Sequence, residues 1–506
     1  MLFKQSITAQ PFTQWLVGDT ENKWLFRFSL IVIIASFGWL KLVYPYPNFL
    51  QPDSMWYLNA ALKNDFINYW PTGYSKFIRL VSVFTRSHLV LVVVQYLLLM
   101  SSVLYLLFTL RYLLPSDKWL FRSLFAISII NPIIPHVANI VSSDALFACL
   151  SLVWFTQLLW IAFRPGRRLL LVHAVILLLA FMVRFSAIWY PFISIAAILL
   201  AGIPKRNKWV GVASIVTGLL IFIGCTGYEY YKRTNTIQYA AFGGWQMAAN
   251  ALYAYAYAEP IDPANVPARF HDLHTEVNRQ IDSLHQLVDR PDEEIGVYYL
   301  WNIQSPLITY TFQQHRKDRI KKKQFEQWAF MGPLFGAYGR WLITQHPGLF
   351  IQHFALPNLA RFYQPPVTSL DLYNVGNNTV DSVTVTWFNW KNNQLPYRLH
   401  DPRIHIMSLY PPALAVINTL FLVSTLIFLG FSGLKQCTAT HKRIFFFVWL
   451  VWLCNVVFSV VSAPTELRYQ IFPVIITIPF CIFILSWLIQ ASQSAASPSS
   501  EKAIPN

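Results

Sequence analysis

The chain has 506 residues, of which 55% are hydrophobic and only 12% are charged. A soluble protein of this length needs far more polar surface, so the composition excludes a soluble globule and indicates a protein embedded in a bilayer. The formal net charge is +16, which could reflect a nucleic-acid-binding surface. However, the segment 229–401 holds equal numbers of basic and acidic residues. The excess therefore lies in the apolar remainder, where it indicates membrane topology, and no nucleic-acid partner is expected.

About ten segments approach the length of a membrane span, which is roughly 20 apolar residues for about 30 Å of hydrocarbon. In chain order they lie at 25–44, 88–110, 120–135, 144–163, 169–185, 187–203, 209–228, 409–431, 444–462 and 469–489. The third is short, and the fifth and sixth share a tight turn. We predict an all-α polytopic membrane protein with membrane helices at 25–228 and 409–489. One large, mostly helical domain at 229–408 separates the two sets.

The distribution of Lys and Arg over the short loops predicts the orientation, because basic loops stay on the cytoplasmic side. Four short loops carry basic clusters: Arg111, Lys118 and Arg122; Arg164, Arg167 and Arg168; Lys205, Arg206 and Lys208; Lys435, Lys442 and Arg443. The loop 45–87 also carries basic residues, which opposes the assignment but is outweighed by the other loops. The termini, 1–24 and 490–506, are thus predicted to be cytoplasmic. The loop 45–87 and the large domain are predicted to lie outside, with a bacterial inner membrane as the expected location.

The large domain and the tail carry further patterns. A helix at 333–363, interrupted by Pro347 and Pro357, has aromatic and aliphatic residues at the spacing of a kinked helix in the membrane interface. The tail 490–506 is polar and is predicted to be disordered. The five cysteines lie in apolar spans or in a short basic loop, so no disulfide framework is expected.

Ionisable residues beside apolar helices are the candidates for chemistry, because placing a charge there is costly. Asp53 follows the first span and Asp144 begins the fourth, so both are predicted to face the outside. Asp53 could be a general base or a cation ligand. A helix cap is the more common explanation for both residues, since Pro52 and Ser54 flank the first carboxylate and serines precede the second.

Cations near the same ends of the spans are candidates for binding an anion. The turn between the last two spans holds Glu466, Arg468 and Tyr469, and Arg468 could pair with a phosphate or only with its neighbour Glu466. Arg184, at the end of the fifth span, and Lys76, in loop 45–87, could hold an anionic headgroup or extend to the interface.

Weaker patterns are given structural interpretations. His271 and His274 are three residues apart in the large domain, but a zinc site needs three or four ligands, so we expect a solvated helix face. The basic run 315–323 is also expected to be solvated. No glycine-rich nucleotide motif is present in the sequence.

Five short motifs resemble those of the GT-C superfamily of polyprenyl-phosphate-dependent glycosyltransferases. This superfamily includes protein O-mannosyltransferases and the bacterial aminoarabinose transferase of lipid A. The motifs are PDSMWYLNAA at 52–61, WPTGYSKF at 70–77, SSDALF at 142–147, RWLITQHPGLFIQH at 340–353 and PTELRYQIFP at 464–473. Together they extend over nearly the whole chain.

The resemblance implies transfer of a sugar from a polyprenyl-phosphate donor to a lipid, glycan or protein acceptor outside the cytoplasm, with inversion at the anomeric carbon. It implies that Asp53 is the base and that Asp144 orients the acceptor or shares a cation. Arg468 would hold the leaving phosphate together with Lys76 or Arg184, and the remaining substrate-binding candidates are Tyr57, Glu466 and Tyr469. The sequence lacks the acidic pair of several members and has no Asp-x-Asp motif. No metal ligand is therefore assigned, and a requirement for a divalent cation is left open.

Two other classes of protein remain possible on sequence grounds: a lipid or glycan transporter or flippase, and an assembly factor that binds through its outer domain. Transporters tend to show repeated halves and ionisable residues near the membrane midplane, which this sequence does not show. An enzyme additionally requires that Asp53, Asp144 and a cation converge at one site.

Overall fold

A computed structural model of the protein describes residues 10–114, 116–317, 323–398 and 401–496. Within these ranges the chain is helical or irregular, and extended pairing is limited to isolated bridges. The first half contains α1 (Phe12–Gly18), α2 (Thr20–Val43), α3 (Asp53–Lys63), α4 (Gly73–Ser82), α5 (His88–Leu113), α6 (Lys118–Ile130), α7 (Ile133–Ala138), α8 (Asp144–Phe163), α9 (Arg167–Val183), α10 (Tyr190–Leu200) and α11 (Lys205–Thr234). The second half contains α12 (Ala241–Tyr255), α13 (His271–His285), α14 (Tyr298–Trp301), α15 (Pro306–Lys317), α16 (Gln324–Gln345), α17 (Pro347–Phe350), α18 (Leu356–Tyr363), α19 (Ser382–Phe388), α20 (Tyr410–Gly430), α21 (Ala439–Ser462) and α22 (Ile471–Ala496).

Eight helical stretches among the described residues are long and apolar enough to cross a membrane, as an integral membrane protein requires. They are Thr20–Val43, His88–Leu113, Lys118–Ala138, Asp144–Phe163, Lys205–Thr234, His405–Gly430, Ala439–Ser462 and Ile471–Gln493. The predicted fifth and sixth spans are shorter helices, Arg167–Val183 and an apolar helix at Phe185–Leu200. Helices therefore occupy all the predicted positions, while the count of about ten spans stays a prediction.

The third predicted span is interrupted. Helix α6 ends at Ile130 and α7 begins at Ile133, because Pro132 lacks the amide proton that a continuing helix would need. Tyr410, at the start of α20, holds this break: its hydroxyl donates to the side chain of Asn131 and accepts a 2.9 Å hydrogen bond from the amide of Ile133.

Both predicted terminal tails contain helix. Helix α1 and the start of α2 lie within 1–24, and α22 continues to Ala496. The prediction of a disordered tail from 490 is therefore wrong for residues 490–496, where the helix of the last span continues through polar residues. The remainder of the predicted tail lies outside the described residues.

Two apolar cores organise the chain. The first contains the membrane helices together with residues from the end of the large domain, such as Tyr373, Trp387 and Met407. The second is formed by α12 to α16, with Tyr69 from the segment between α3 and α4. The sequence region predicted as one domain at 229–408 therefore contributes to both cores.

Helix α16 lies at the centre of the second core and packs backbone to backbone on α12. A Cβ atom on Gly244 would lie 1.9 Å from the carbonyl oxygen of Gly332, and one on Gly339 would lie 2.6 Å from that of Met247. This contact buries the first part of the helix that was predicted to lie in the interface. The predicted kink occurs at Pro347, where α16 has ended, and a π-helical turn at Ile351–Ala355 precedes Pro357.

Candidate active site

Two distant segments are joined where the predicted acidic residues lie. The amide of Asn48 donates to the carbonyl of Asn139 over 2.8 Å, and the amide of Val141 donates back to the carbonyl of Asn48 over 3.0 Å. These bonds place the start of α3, at Asp53, next to the start of α8, at Asp144.

Asp53 forms an ion pair with Arg468, which lies between α21 and α22. Arg468 Nη1 donates to Asp53 Oδ2 over 2.7 Å, and the two side chains are 11% and 19% exposed. Arg468 Nε donates to Glu466 Oε2 over 3.1 Å, and Arg468 Nη2 donates to the hydroxyl of Tyr469 over 2.6 Å. The second oxygen of Asp53, Oδ1, makes no hydrogen bond with any residue that the structure describes. Asp53 is thus fixed through one oxygen and open at the other.

Asp144 forms a second ion pair, with Arg184 at the end of α9. Arg184 Nη1 donates to Asp144 Oδ1 over 2.7 Å, and the hydroxyl of Ser142 donates to Oδ2. The Asp144 side chain is only 1% exposed. Both of its oxygens are therefore occupied, and in this arrangement it is closed to a substrate.

Tyr469 links the two ion pairs. The guanidinium carbon of Arg184 lies 4.9 Å from the centre of its ring, and that of Arg468 lies 4.7 Å from it. Phe147 lies 5.7 Å from the same guanidinium of Arg184. We call Asp53, Asp144, Arg184, Glu466, Arg468 and Tyr469 the arginine cluster.

Tyr57 lies beside the arginine cluster, and its hydroxyl donates to Ser143 Oγ over 2.9 Å. Burial raises the pKa of Tyr57, so its hydroxyl stays protonated. Burial likewise raises the pKa of Tyr469. For Arg468 burial acts to lower the pKa, but Tyr469 and the adjacent carboxylates outweigh it and raise the pKa well above its ordinary value. The cluster therefore contains permanent cations and hydroxyl donors.

The large domain holds the turn that carries Arg468. Asn358 of α18 is fully buried, and its amide group donates to the carbonyls of Ser459, Val460 and Ala463 while its oxygen accepts from the amide of Thr465. The hydroxyl of Ser369 donates to Glu466 Oε2 over 2.9 Å, and the amide of Leu467 donates to the carbonyl of Pro366 over 3.0 Å.

The sequence did not single out Asn358 or Ser369. Asn358 is a lone polar residue in an apolar stretch, and Ser369 lies in a largely irregular segment. Only the position of each in the fold shows that it contacts the turn that carries Arg468.

Lys76 is the one predicted site residue that the structure places away from the cluster. Its ammonium group donates to the side-chain oxygen of Asn64 over 2.8 Å and to the backbone carbonyl of the same residue over 3.1 Å. Asn64 ends α3 in the left-handed conformation, with φ of 56°. Lys76 therefore caps this helix end, and the cations that do meet the carboxylates of the cluster are Arg184 and Arg468.

The expectation of a solvated histidine face is wrong for His274, which is fully buried in the second core. Its two ring nitrogens lie 2.7 Å from the hydroxyl of Tyr338 and 3.0 Å from the carbonyl of Ile261. The aromatic residues that surround it come from elements distant in sequence, so the i, i+3 spacing alone gave no sign of burial. Within the described ranges, no group of three or more His, Cys, Asp or Glu residues could hold a metal ion.

Comparisons with known proteins give one distant structural match. No family model and no curated protein matches the chain. Among solved structures, the chain is similar to the archaeal oligosaccharyltransferase AglB from Archaeoglobus fulgidus, in complex with an inhibitory peptide and a dolichol-phosphate, with 11% sequence identity and a TM-score of 0.40. The match covers 96% of this chain and 53% of that chain, so this chain spans about half the length of that structure.

Proposed function

We propose that the protein is a membrane glycosyltransferase of the GT-C type that moves a sugar from a polyprenyl-phosphate donor to an acceptor outside the cytoplasm, with inversion. The proposal includes the predicted topology, with both termini cytoplasmic and the large domain outside a bacterial inner membrane. The observation that carries it is the arginine cluster. Two carboxylates and two guanidiniums from four distant segments meet around Tyr469, with Asp53 Oδ1 unoccupied.

The chemistry follows from the charges. The acceptor hydroxyl or amine gives its proton to Asp53, its oxygen or nitrogen forms a bond to the anomeric carbon, and the bond from that carbon to the phosphate oxygen breaks. The electron pair leaves with the phosphate, which changes from a phosphodiester with one negative charge to a polyprenyl phosphate monoester with two. Preorganised cations that meet this developing charge stabilise the transition state more than the ground state.

Asp53 and Asp144 have different roles in this reaction. Asp53 has the open oxygen and is assigned as the general base. Asp144 is enclosed by Arg184 and Ser142, so we assign it as a positioning residue that fixes Arg184. Tyr57 bonds Ser143, the residue before Asp144. Glu466 bonds Arg468 and so helps to hold the guanidinium that pairs with Asp53.

The donor groups of the cluster do not suit a metal ion. Both oxygens of Asp144 are occupied, and Asp53 and Glu466 each already contact the cationic Arg468. A divalent cation needs several free oxygen ligands. We therefore derive no step through a metal.

The proposal is tested with Asp53→Asn, which removes the base but keeps the size of the side chain. We expect cells that carry this variant to lose the same sugar from their envelope glycoconjugates as cells without the protein, and to accumulate polyprenyl-phosphate sugar. Mass spectrometry of envelope lipids and glycans measures both. Loss of a positioned base typically lowers the rate by about 10²- to 10⁴-fold.

The matched control is Asp65→Asn, the same change two residues after the end of α3 and outside the cluster. It should retain the wild-type glycan profile. An unchanged profile in cells with Asp53→Asn at normal protein levels would exclude Asp53 as the base. If deletion changes the distribution of a glycolipid between leaflets but no covalent linkage, the flippase alternative is favoured instead.

A further inference from the structure

The two arginines of the cluster differ in how many of their donor groups are occupied. Every nitrogen of Arg468 already donates to a side chain: Nη1 to Asp53, Nε to Glu466 and Nη2 to Tyr469. Arg184 donates only through Nη1, to Asp144, and its Nε and Nη2 meet no acceptor among the described residues. A guanidinium has five N–H donors, so Arg468 keeps two of them, one on each terminal nitrogen, whereas Arg184 keeps four. Two parallel hydrogen bonds to a phosphate are therefore easier to form at Arg184.

On this basis we propose that Arg184 is the residue that binds the donor phosphate, and that Arg468 is a positioning residue that holds Asp53. The inference rests on the proposed function. The sequence resemblance gave phosphate binding to Arg468, together with Lys76 or Arg184. The present proposal gives phosphate binding to Arg184 and the positioning of Asp53 to Arg468.

The surrounding charges favour the same division. Arg468 contacts two carboxylates, Asp53 and Glu466, so a phosphate bound there would lie against two negative charges. Arg184 contacts one carboxylate, that of Asp144. Like charges that approach closely in a shielded site repel strongly, so the phosphate is best placed on the Arg184 side.

Tyr469 supplies a further donor on that side. Its hydroxyl oxygen accepts from Arg468, while its own proton meets no acceptor in the described part of the chain. The ring contacts of Tyr469 and Phe147 with Arg184 restrict the orientation of the guanidinium. A phosphate at this point would receive hydrogen bonds from Arg184 and from the Tyr469 hydroxyl.

Purified full-length protein in detergent first tests the two roles through binding. The probes are a polyprenyl phosphate and the polyprenol of the same chain length, whose binding is measured by native mass spectrometry. Arg184→Gln should weaken binding of the phosphate by roughly 10-fold or more, as expected for charge-assisted hydrogen bonds, and should leave polyprenol binding unchanged. Arg184→Lys keeps the charge and should recover part of the phosphate affinity.

Arg468→Lys should behave differently. Lysine cannot reach Asp53, Glu466 and Tyr469 together, so turnover should fall by about 100-fold while the KM for the donor stays within about 3-fold, since only the base is displaced. Arg233→Gln, which removes an arginine paired with Glu229 within one helix, is the control and should change neither quantity. Thermal unfolding of each variant identifies any that fail to fold, and the two lysine variants then carry the test.

The outcomes separate the two proposals. If Arg468→Lys weakens phosphate binding as much as Arg184→Gln does, or if Arg184→Gln leaves it intact, the division between the arginines is wrong. If the wild-type protein binds the phosphate no better than the polyprenol and transfers no sugar, the proposed function itself is wrong.

Discussion

Two buried polar clusters in this protein differ in their charge and in their hydrogen bonding. The arginine cluster contains full charges and leaves Asp53 Oδ1 and several arginine donors unoccupied. The second cluster, which we call the His274 cluster, consists of Tyr255, His274, Asn278 and Tyr338 in the second core.

The His274 cluster is neutral and saturated. The carbonyl of Ile261 can only accept, so the ring nitrogen that faces it carries the proton, and the other ring nitrogen accepts from Tyr338. Tyr255 donates to Asn278 over 2.8 Å and accepts from the amide of Ile261 over 3.0 Å. A buried network that satisfies all its members stabilises the fold. One that keeps charged groups open at the ends of membrane helices can act on a ligand.

The largest effect is expected from Asp144→Asn. Loss of the carboxylate leaves Arg184 buried without its counter-charge, and removal of one partner of a buried pair costs about 3–5 kcal/mol. We expect a lower unfolding temperature in detergent together with a loss of sugar transfer. Asp292→Asn is the matched control. Asp292 is also buried and pairs with Arg290 and Tyr299, which are not members of the arginine cluster.

Asp292→Asn should lower stability by a similar amount while the folded fraction retains its turnover. If both variants lose activity only in proportion to their folded fraction, the arginine cluster is structural like the His274 cluster, and the comparison between them fails.

A smaller effect is expected from Tyr338→Phe in the His274 cluster. This change removes the hydroxyl that His274 meets at 2.7 Å and leaves a buried ring nitrogen without its donor, which costs about 1–3 kcal/mol. Thermal unfolding should shift downwards while turnover at permissive temperature stays unchanged. Tyr228→Phe is the control, since Tyr228 is 69% exposed. Loss of turnover in well-folded Tyr338→Phe protein would show that the His274 cluster has a functional role.

The smallest effect concerns pH. Burial lowers the pKa of His274 below its ordinary value of 6.5. The unfolded chain therefore takes up a proton at a pH where the folded protein does not. The contribution of His274 to stability is complete above about pH 6.5 and declines as the pH falls towards the folded pKa, by at most about 1.4 kcal/mol per pH unit.

His274→Gln removes this titration, so the difference in unfolding temperature between pH 7.5 and pH 5.5 should be smaller in the variant than in the wild type. An equal or larger difference would mean that His274 is not the titrating group.

The sequence located the arginine cluster well because ionisable residues next to apolar helices are few and costly. Asp53, Asp144, Arg184 and Arg468 all follow from that reasoning, and their convergence, which an enzyme requires, is what the structure shows. Their catalytic roles stay predictions. The pair of Arg468 and Glu466 was considered from the sequence, but the pairs of Arg468 with Asp53 and of Arg184 with Asp144 could not be derived, because they depend on which helix ends are adjacent. For the same reason Lys76 was grouped with the cluster, whereas it bonds Asn64 at the other end of α3.

The large domain was harder to predict. Its helices were expected from their pattern, but the burial of α16 and His274 depends on glycine contacts with α12 and on aromatic residues from distant segments. The division of the region 229–408 between two cores could not be predicted, because it depends on which distant segments each part packs against.

The side chain of Asn358 has a mechanical consequence. It bonds three carbonyls at the end of α21 and one amide in the turn that follows, so a single side chain ties the large domain to the segment that carries Arg468. Any displacement of α18 would therefore move that turn, and with it Arg468, the ion-pair partner of Asp53.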